Sequence, residues 1–208
     1  MTKGDVTPGR RPRLDRRTVV TTALALLDDK GADGVSIRGI AERLGVRMNT
    51  VLWHAGTKAR LLELMADAIV AEAPLDGLPG DWLDRTRELA HRYRRALLAH
   101  RDGARVVAGT YAAEPGTLGF AEALTQALLA GRLAEREAAW TCWSIVYFTL
   151  GLVQEEQALP QARGEHLGQA LSGGGYPSLS RVTAHLRDGD FDARFDYGLD
   201  LILRTPAD

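Results

Sequence analysis

Apolar positions along this chain recur at three- and four-residue steps almost from end to end. Val19, Val20, Ala23, Leu24 and Leu27 form the first stripe, the spacing of one face of an α-helix. Gly31 and Gly34 then stop it. Ser36 is a suitable N-cap for a short second helix with Ile37, Ile40, Ala41 and Leu44 facing inward. Gly45 permits the left-handed turn that reverses the chain, and a third short helix is predicted over 47–54. Gly56 breaks it, and Thr57 caps a fourth helix that puts Leu61, Leu62, Met65, Ala66 and Ile69 on one side and ends near residue 73. Pro74, Gly77, Pro79 and Gly80 read as a linker.

The same period predicts further helices near 82–100, 102–108, 118–130, 134–158, 178–187 and 190–204. Residues 159–178 hold PQARGEH and SGGGYP and read as a loop. No long stretch alternates like a strand, and no unit of about 20–50 residues repeats. The fold class is all-α. The first 13 residues carry Pro, Gly and Arg without apolar periodicity and read as a flexible basic arm. The stretch 138–154 has 17 residues without a charge. A spanning helix needs about 20, and this one contains two Thr, a Ser and a Gln. A helix buried in a core or between subunits is the better reading, with no membrane partner.

Composition changes the picture in two places. With 208 residues, 45% hydrophobic and 25% charged, the chain is of ordinary globular type. Its single cysteine, Cys142, excludes an intramolecular disulfide and fits a reducing cytoplasm. The charged start has no apolar core and is not a secretory signal. The net charge of -1 hides an asymmetry: residues 1–62 hold 12 Lys/Arg against 6 Asp/Glu, and the remainder 14 against 21. A front end of +6 on a body of -7 points the front end at a polyanion.

Two short helices joined by a tight Gly turn, with another helix before them, form a helix-turn-helix. In this motif the second helix enters the major groove of DNA and its N-terminal residues reach base edges. Here that helix begins RMNT. Arg47 suits a bidentate contact to guanine and Asn49 one to adenine. Thr50 is short enough for a phosphate or a thymine methyl. Trp53 and His54 end the helix where side chains lie along the sugar-phosphate backbone, and Lys58 opens the next helix as a phosphate contact that fixes register. Arg38, early in the preceding helix, reaches a base or a phosphate. The competing readings are plain: Trp53 packs in the core, and His54 is an ordinary core or surface histidine. A metal role for His54 needs companion ligands, and the chain has neither HxxxH nor CxxC.

The run GVSIRGIAERLGVRMNTVLWHAGTKARLL (34–62) resembles the DNA-binding region of the TetR family of transcriptional regulators. YRRALLAHRDGARVVAGT (93–110), and FTLG (148–151) followed by QEEQ, extend the likeness to the ligand-binding domain of the tetracycline-responsive members; 158–190 is not matched. The resemblance implies a homodimer, with an N-terminal three-helix DNA-binding domain and a larger C-terminal helical domain for an inducer and dimer contacts. The expected division is an arm at 1–13, a helix-turn-helix domain at 14–60, a connector helix at 58–73 and a ligand-binding and dimerisation domain at 74–208. The family's DNA-contacting positions carry over to Arg38, Arg47, Met48, Asn49, Thr50, Trp53, His54 and Lys58. Leu52 stands where the family often has Tyr, which removes one phosphate-reaching hydroxyl.

The inducer site departs further. Where tetracycline-responsive members grip the drug with His and Asn, this chain has Pro74 and Leu89, and where they bind magnesium with His it has Val107. Only a carboxylate is retained, as Glu155. Mg²⁺ favours octahedral oxygen coordination, so no response to magnesium-tetracycline is expected, and no cofactor or metal. The matching pocket is lined by Tyr93, Val107, Thr110, Trp140 or Trp143, Cys142, Val146, Tyr147 and Glu155, a composition suited to a small apolar or aromatic ligand. Alternatively the Trp residues and Tyr147 pack in the core or dimer, and Glu155 is a solvated or capping residue.

The function expected is a dimeric repressor that leaves a palindromic, double-stranded operator when a small organic ligand binds. The alternative is a DNA-binding regulator without an inducer, or an activator. Arg10, Arg11 and Arg13 of the arm either add DNA contacts or belong to a solvated tail. An enzyme is disfavoured: no nucleophile, base and orienting group stand at recognisable spacing, and the GGG of 173–175 has no strand before it. An interaction module without DNA binding is disfavoured by Arg47, Thr50 and Lys58.

Overall fold

The computed structural model describes residues 14–110, 112–158, 163–171 and 173–204, with the backbone alone at 163–166. The arm at 1–13 and its arginines lie outside the described residues. Among the described residues there is no strand. The elements are α1 (Arg16–Lys30), α2 (Ile37–Leu44), α3 (Met48–Ala55), α4 (Lys58–Ala71), α5 (Trp82–Leu98), α6 (Gly103–Ala108), α7 (Pro115–Ala130), α8 (Glu135–Ala158), α9 (Arg163–Leu171), α10 (Pro177–Arg187) and α11 (Phe191–Leu203).

Local signals set the ends of the first four helices. Asp15 caps α1 by accepting from the Thr18 N–H at 2.8 Å, and Ser36 caps α2 by accepting from Gly39 at 3.1 Å. Gly45 takes φ 64°, ψ 34°, and the Val46 N–H returns to the Ala41 carbonyl at 3.0 Å. That closure is the left-handed helix ending that glycine favours, and it sends α3 off at a sharp angle. Thr57 caps α4 through the Arg60 N–H. Val19, Ala23, Leu27, Ile40 and Val51 are sealed between α1, α2 and α3. The core continues without a break through α4, α5, α7, α8 and α11.

α4 runs from the N-terminal three helices into the rest of the protein and packs on α5, α6 and α7. α11 lies along α8, where Phe195 stacks on Phe148 with ring centres 5.8 Å apart. Gly198 makes that approach close, since a Cβ there would meet the Phe148 ring. The buried Arg94 of α5 joins three helices, at 2.8 Å to Glu156 of α8 and 2.5 Å to Asp192 of α11.

Two sequence expectations are corrected. The predicted loop at 159–178 contains a helix, α9, which packs against α10. Its glycines disfavour a helix by about 1 kcal/mol each relative to Ala. Leu167 and Leu171, one turn apart, supply an apolar stripe, and Leu171 is buried. α7 begins three residues earlier than expected, because Pro115 occupies its first turn, where a missing N–H costs nothing. No helix among the described residues is long and apolar enough to cross a membrane.

Candidate functional site

The first site is the outer surface of α3. Val51 and Ala55 point into the core, which turns Met48, Asn49 and Trp53 to solvent. Arg47 is the exposed N-cap residue and makes no side-chain cap hydrogen bond, so the first N–H groups of α3 remain open to an anion. Trp53 is 80% exposed. It is not core. Its ring meets His54 edge-on at 4.6 Å. Thr50 and His54 are half-buried, and the His54 carbonyl accepts from Arg16 at 3.3 Å. Lys58 is exposed at the start of α4. Arg38 is exposed and pairs with Glu42 at 2.8 Å. An exposed pair of this kind is worth little, so a phosphate can replace Glu42. Of the eight residues, Arg38, Arg47, Met48, Asn49, Trp53 and Lys58 are exposed and Thr50 and His54 are half-buried.

The second site is a cavity of about 610 Å³ lined from α5, α6, α7 and α8 and by Thr110, Ala112 and Ala113, with Val70 of α4 at one wall. Tyr93, Val107, Thr110, Cys142, Trp143, Val146 and Tyr147 line it, as the sequence implied. Trp140 and Glu155 do not line it. The lining residues of α8 run from Cys142 to Gln154; Glu155 sits about 100° further around the helix and is exposed. Trp140 lies beyond the N-terminal end of that stretch, 62% exposed, under the Arg136 guanidinium at 4.9 Å. Gln154 takes the wall position expected of its neighbour. Tyr93 stacks on Phe120 at 4.9 Å and Trp143 on Tyr147 at 5.2 Å. Burial pushes the Tyr93 hydroxyl and the Cys142 thiol up from their ordinary pKa values, so both stay protonated near neutrality.

Comparison with known proteins joins the two sites. The family described as "Bacterial regulatory proteins, tetR family" matches residues 19–65, and "Tetracyclin repressor-like, C-terminal domain" matches 73–204. The chain belongs to the TetR family of transcriptional regulators. Tetracycline repressor protein class C of Escherichia coli is 36% identical over 198 residues, covering 92% of this chain and 90% of that protein. The crystal structure of a possible TetR family regulator from Streptomyces coelicolor A3(2) is 38% identical with a TM-score of 0.83, covering 91% of this chain and 97% of that one. ActR of Streptomyces coelicolor, solved in complex with actinorhodin, is 27% identical with a TM-score of 0.83 over 93% of this chain and 95% of its own.

Within this TetR family chain the cavity does not fit a magnesium chelate. Pro74 is exposed in the linker and Leu89 is sealed in the core, neither lining the cavity. Val107 presents hydrocarbon, and no carboxylate or imidazole stands among the described lining residues. Nor do the described residues hold a cluster of three His, Cys, Asp or Glu suited to a metal.

Sequence reading missed the groups that join cavity to reading head. Thr117, a lining residue in the first turn of α7, donates its N–H (2.7 Å) and hydroxyl (3.0 Å) to Asp67 of α4. Arg60 of α4 pairs with Glu114, the N-cap residue of α7, at 2.7 Å. Gly116 lets α7 sit directly on α4, since a Cβ there would be 2.8 Å from the Ala71 methyl. A second joint ties α1 to the α5–α6 corner. The His100 ring nitrogens each stand 3.1 Å from a carboxylate oxygen, of Asp28 and Glu72. Asp102 accepts from the Ala32 N–H at 2.8 Å. These pairs are 28 to 72 residues apart in sequence, and no local pattern announces them.

Proposed function

We propose that this protein is a cytoplasmic, homodimeric repressor that binds a palindromic operator through α3 and leaves it when a small apolar or aromatic ligand fills the cavity. Residues 14–60 form the reading head, 58–73 the connector and 74–208 the ligand-binding and dimerisation domain. Arg47, Met48 and Asn49 face base edges; Arg38, Thr50, Trp53, His54 and Lys58 hold the backbone. Two heads must sit in successive major grooves about 34–36 Å apart. Exposed Trp140 on α8, and Tyr197 and Leu201 on α11, support a dimer in which these paired helices meet their copies. An aromatic surface of this size is costly to leave in water.

The observation that carries the reading is the Asp67–Thr117 contact. One residue, Thr117, both lines the cavity and holds the helix whose first residue, Lys58, borders the reading helix. A ligand that displaces the first turn of α7 changes the seat of α4 and therefore the spacing of the heads. Such a ligand releases DNA only to the extent that it prefers the spacing that does not fit DNA.

The test is selection of bound sequences from a random duplex pool at two salt concentrations, followed by release assays on the selected site. A two-fold symmetric site, bound more weakly as salt rises and released by cavity-sized aromatic compounds, is the expected result. Binding without sequence preference would defeat the operator reading. Tight, symmetric binding that no cavity ligand disturbs would leave a regulator without an inducer.

A further inference from the structure

Charge joins α5 to α11. Arg87, His91 and Arg94 recur at four- and three-residue steps on α5, and Asp192, Asp196 and Asp200 at four-residue steps on α11, so each set lies on one face of its helix. The sets pair in reverse order. Arg87 bonds Asp200, the His91 Nε2 stands 3.0 Å from an Asp196 carboxylate oxygen, and Arg94 bonds Asp192 at 2.5 Å. Together the rungs define one antiparallel register. The Phe195 ring of α11 touches two of them, edge-on to His91 at 5.0 Å and under the Arg94 guanidinium at 5.4 Å.

These pairs do something that the rest of the seat of α11 does not. Towards the core α11 buries Phe195, Leu199 and Leu203, and apolar burial is non-directional. An arginine–carboxylate pair has direction. Two of the rungs are open to solvent: Arg87 and His91 are half-buried, and the side chains of Asp200 and Asp196 are 49% and 58% exposed. Pairs this exposed add little stability. What they can set is alignment, as flanking charge pairs do between coiled helices. Alignment matters because exposed Tyr197 and Leu201 directly follow Asp196 and Asp200 on α11. We propose that the ladder of Arg87–Asp200, His91–Asp196 and Arg94–Asp192 is a positioning device for DNA reading, which sets α11 along α5 and thereby the distance between two reading heads. This rests on the dimer reading above, in which α8 and α11 meet their copies.

The test uses the full chain, the duplex selected as described above, and versions of that duplex with one base pair added or removed between the half-sites. Each such change turns one half-site by about 34–36° against the other. The parent chain should favour the selected spacing by at least about fivefold, since a mismatch must be met by deformation. Arg87→Asp sets two carboxylates face to face. It should narrow that preference about two- to fivefold, the scale of one exposed ion pair, and bind an isolated half-site as the parent does. Arg87→Asp combined with Asp200→Arg rebuilds the pair in reverse and should restore the preference. Arg87→Gln, which removes the charge without repulsion, should narrow it by less, and supplies the readout should Arg87→Asp fail to fold by circular dichroism. A spacing preference untouched by either single variant overturns the inference, as does a narrowing that the reversed pair fails to undo, or a two-fold site whose spacing the parent ignores. Those outcomes leave the operator reading intact. A parent chain that selects no two-fold site defeats that reading, and this inference with it.

Discussion

In the proposed reading the exposed residues on α3 and α4 carry different information, and substitution separates them. Arg47 stands at the open N-terminus of α3 and Lys58 at the start of α4. Lys58→Ala should weaken binding to all sequences alike and reduce the slope of log affinity against log salt by about one unit per chain, the signature of a lost phosphate contact. Arg47→Ala should instead relax preference at one base pair of each half-site, by about 1–3 kcal/mol there. Titration of the selected site and its single-base variants at several salt concentrations checks both; base-specific loss in Lys58→Ala would overturn the assignment. The cavity offers a second residue-scale test. Burial raises the Cys142 pKa, and the thiolate is the nucleophile. Alkylation of Cys142 by a maleimide should therefore be slower near neutrality than for a free thiol, and should keep accelerating above the pH at which a free thiol levels off. At this scale the structure leaves Arg47, Asn49 and Lys58 exposed, as a surface role requires, and the titrations above test the contacts the sequence assigns them. The sequence was less informative along α8, where one step in sequence turns a side chain by about 100°. That rotation is why Gln154 lines the cavity and Glu155 does not.

Helix starts and stops were the most legible part of the chain. Ser36, Gly45, Gly56 and Thr57 all mark ends through bonds to the adjacent backbone. The helix α9 was illegible for the converse reason: its own composition disfavours it, and packing on α10 accompanies its formation. How helices associate was also hidden, since it depends on pairs distant in sequence. Arg94 is the clearest case. Arg94, in the YRRALL stretch, is 7% exposed and lies over the Phe195 ring at 5.4 Å. It holds α8 and α11 to α5 through Glu156 and Asp192. Removing one partner of a buried pair costs about 3–5 kcal/mol, because the other is left uncompensated. Asp192 is largely exposed and Glu156 partly so, which places Arg94→Ala near the lower end of that range. Thermal unfolding should show a fall of roughly 6–12 °C for a protein of this size. A loss under 2 °C, on the order of 1 kcal/mol or less, would mean that Arg94 is peripheral to the packing of α11.

At the scale of the molecule, the basic front and acidic body form one device only if two copies act together. A single head offers one short recognition helix and a handful of phosphate contacts. Two heads on one rigid frame gain from effective concentration, so the second engagement adds to the first without new chemistry. In the proposed dimer the frame is the exposed side of α8 and α11, where Trp140 and Tyr197 stand 62% and 66% exposed. Both rings stand largely in solvent in a single chain, and their periodicity merges with that of the core stripe, which is why the sequence left core and dimer packing undecided for Trp140. The double variant Trp140→Arg, Tyr197→Glu should keep the helical content and melting behaviour of a folded chain, yet sediment as a monomer. Its affinity for the full palindrome should fall by about a hundredfold or more, while its affinity for an isolated half-site stays close to that of the parent head. Both properties must change together. A variant that remains dimeric would move the interface elsewhere, and a monomer that still holds the palindrome at full affinity would remove the need for two heads, and with it the account of release by altered spacing.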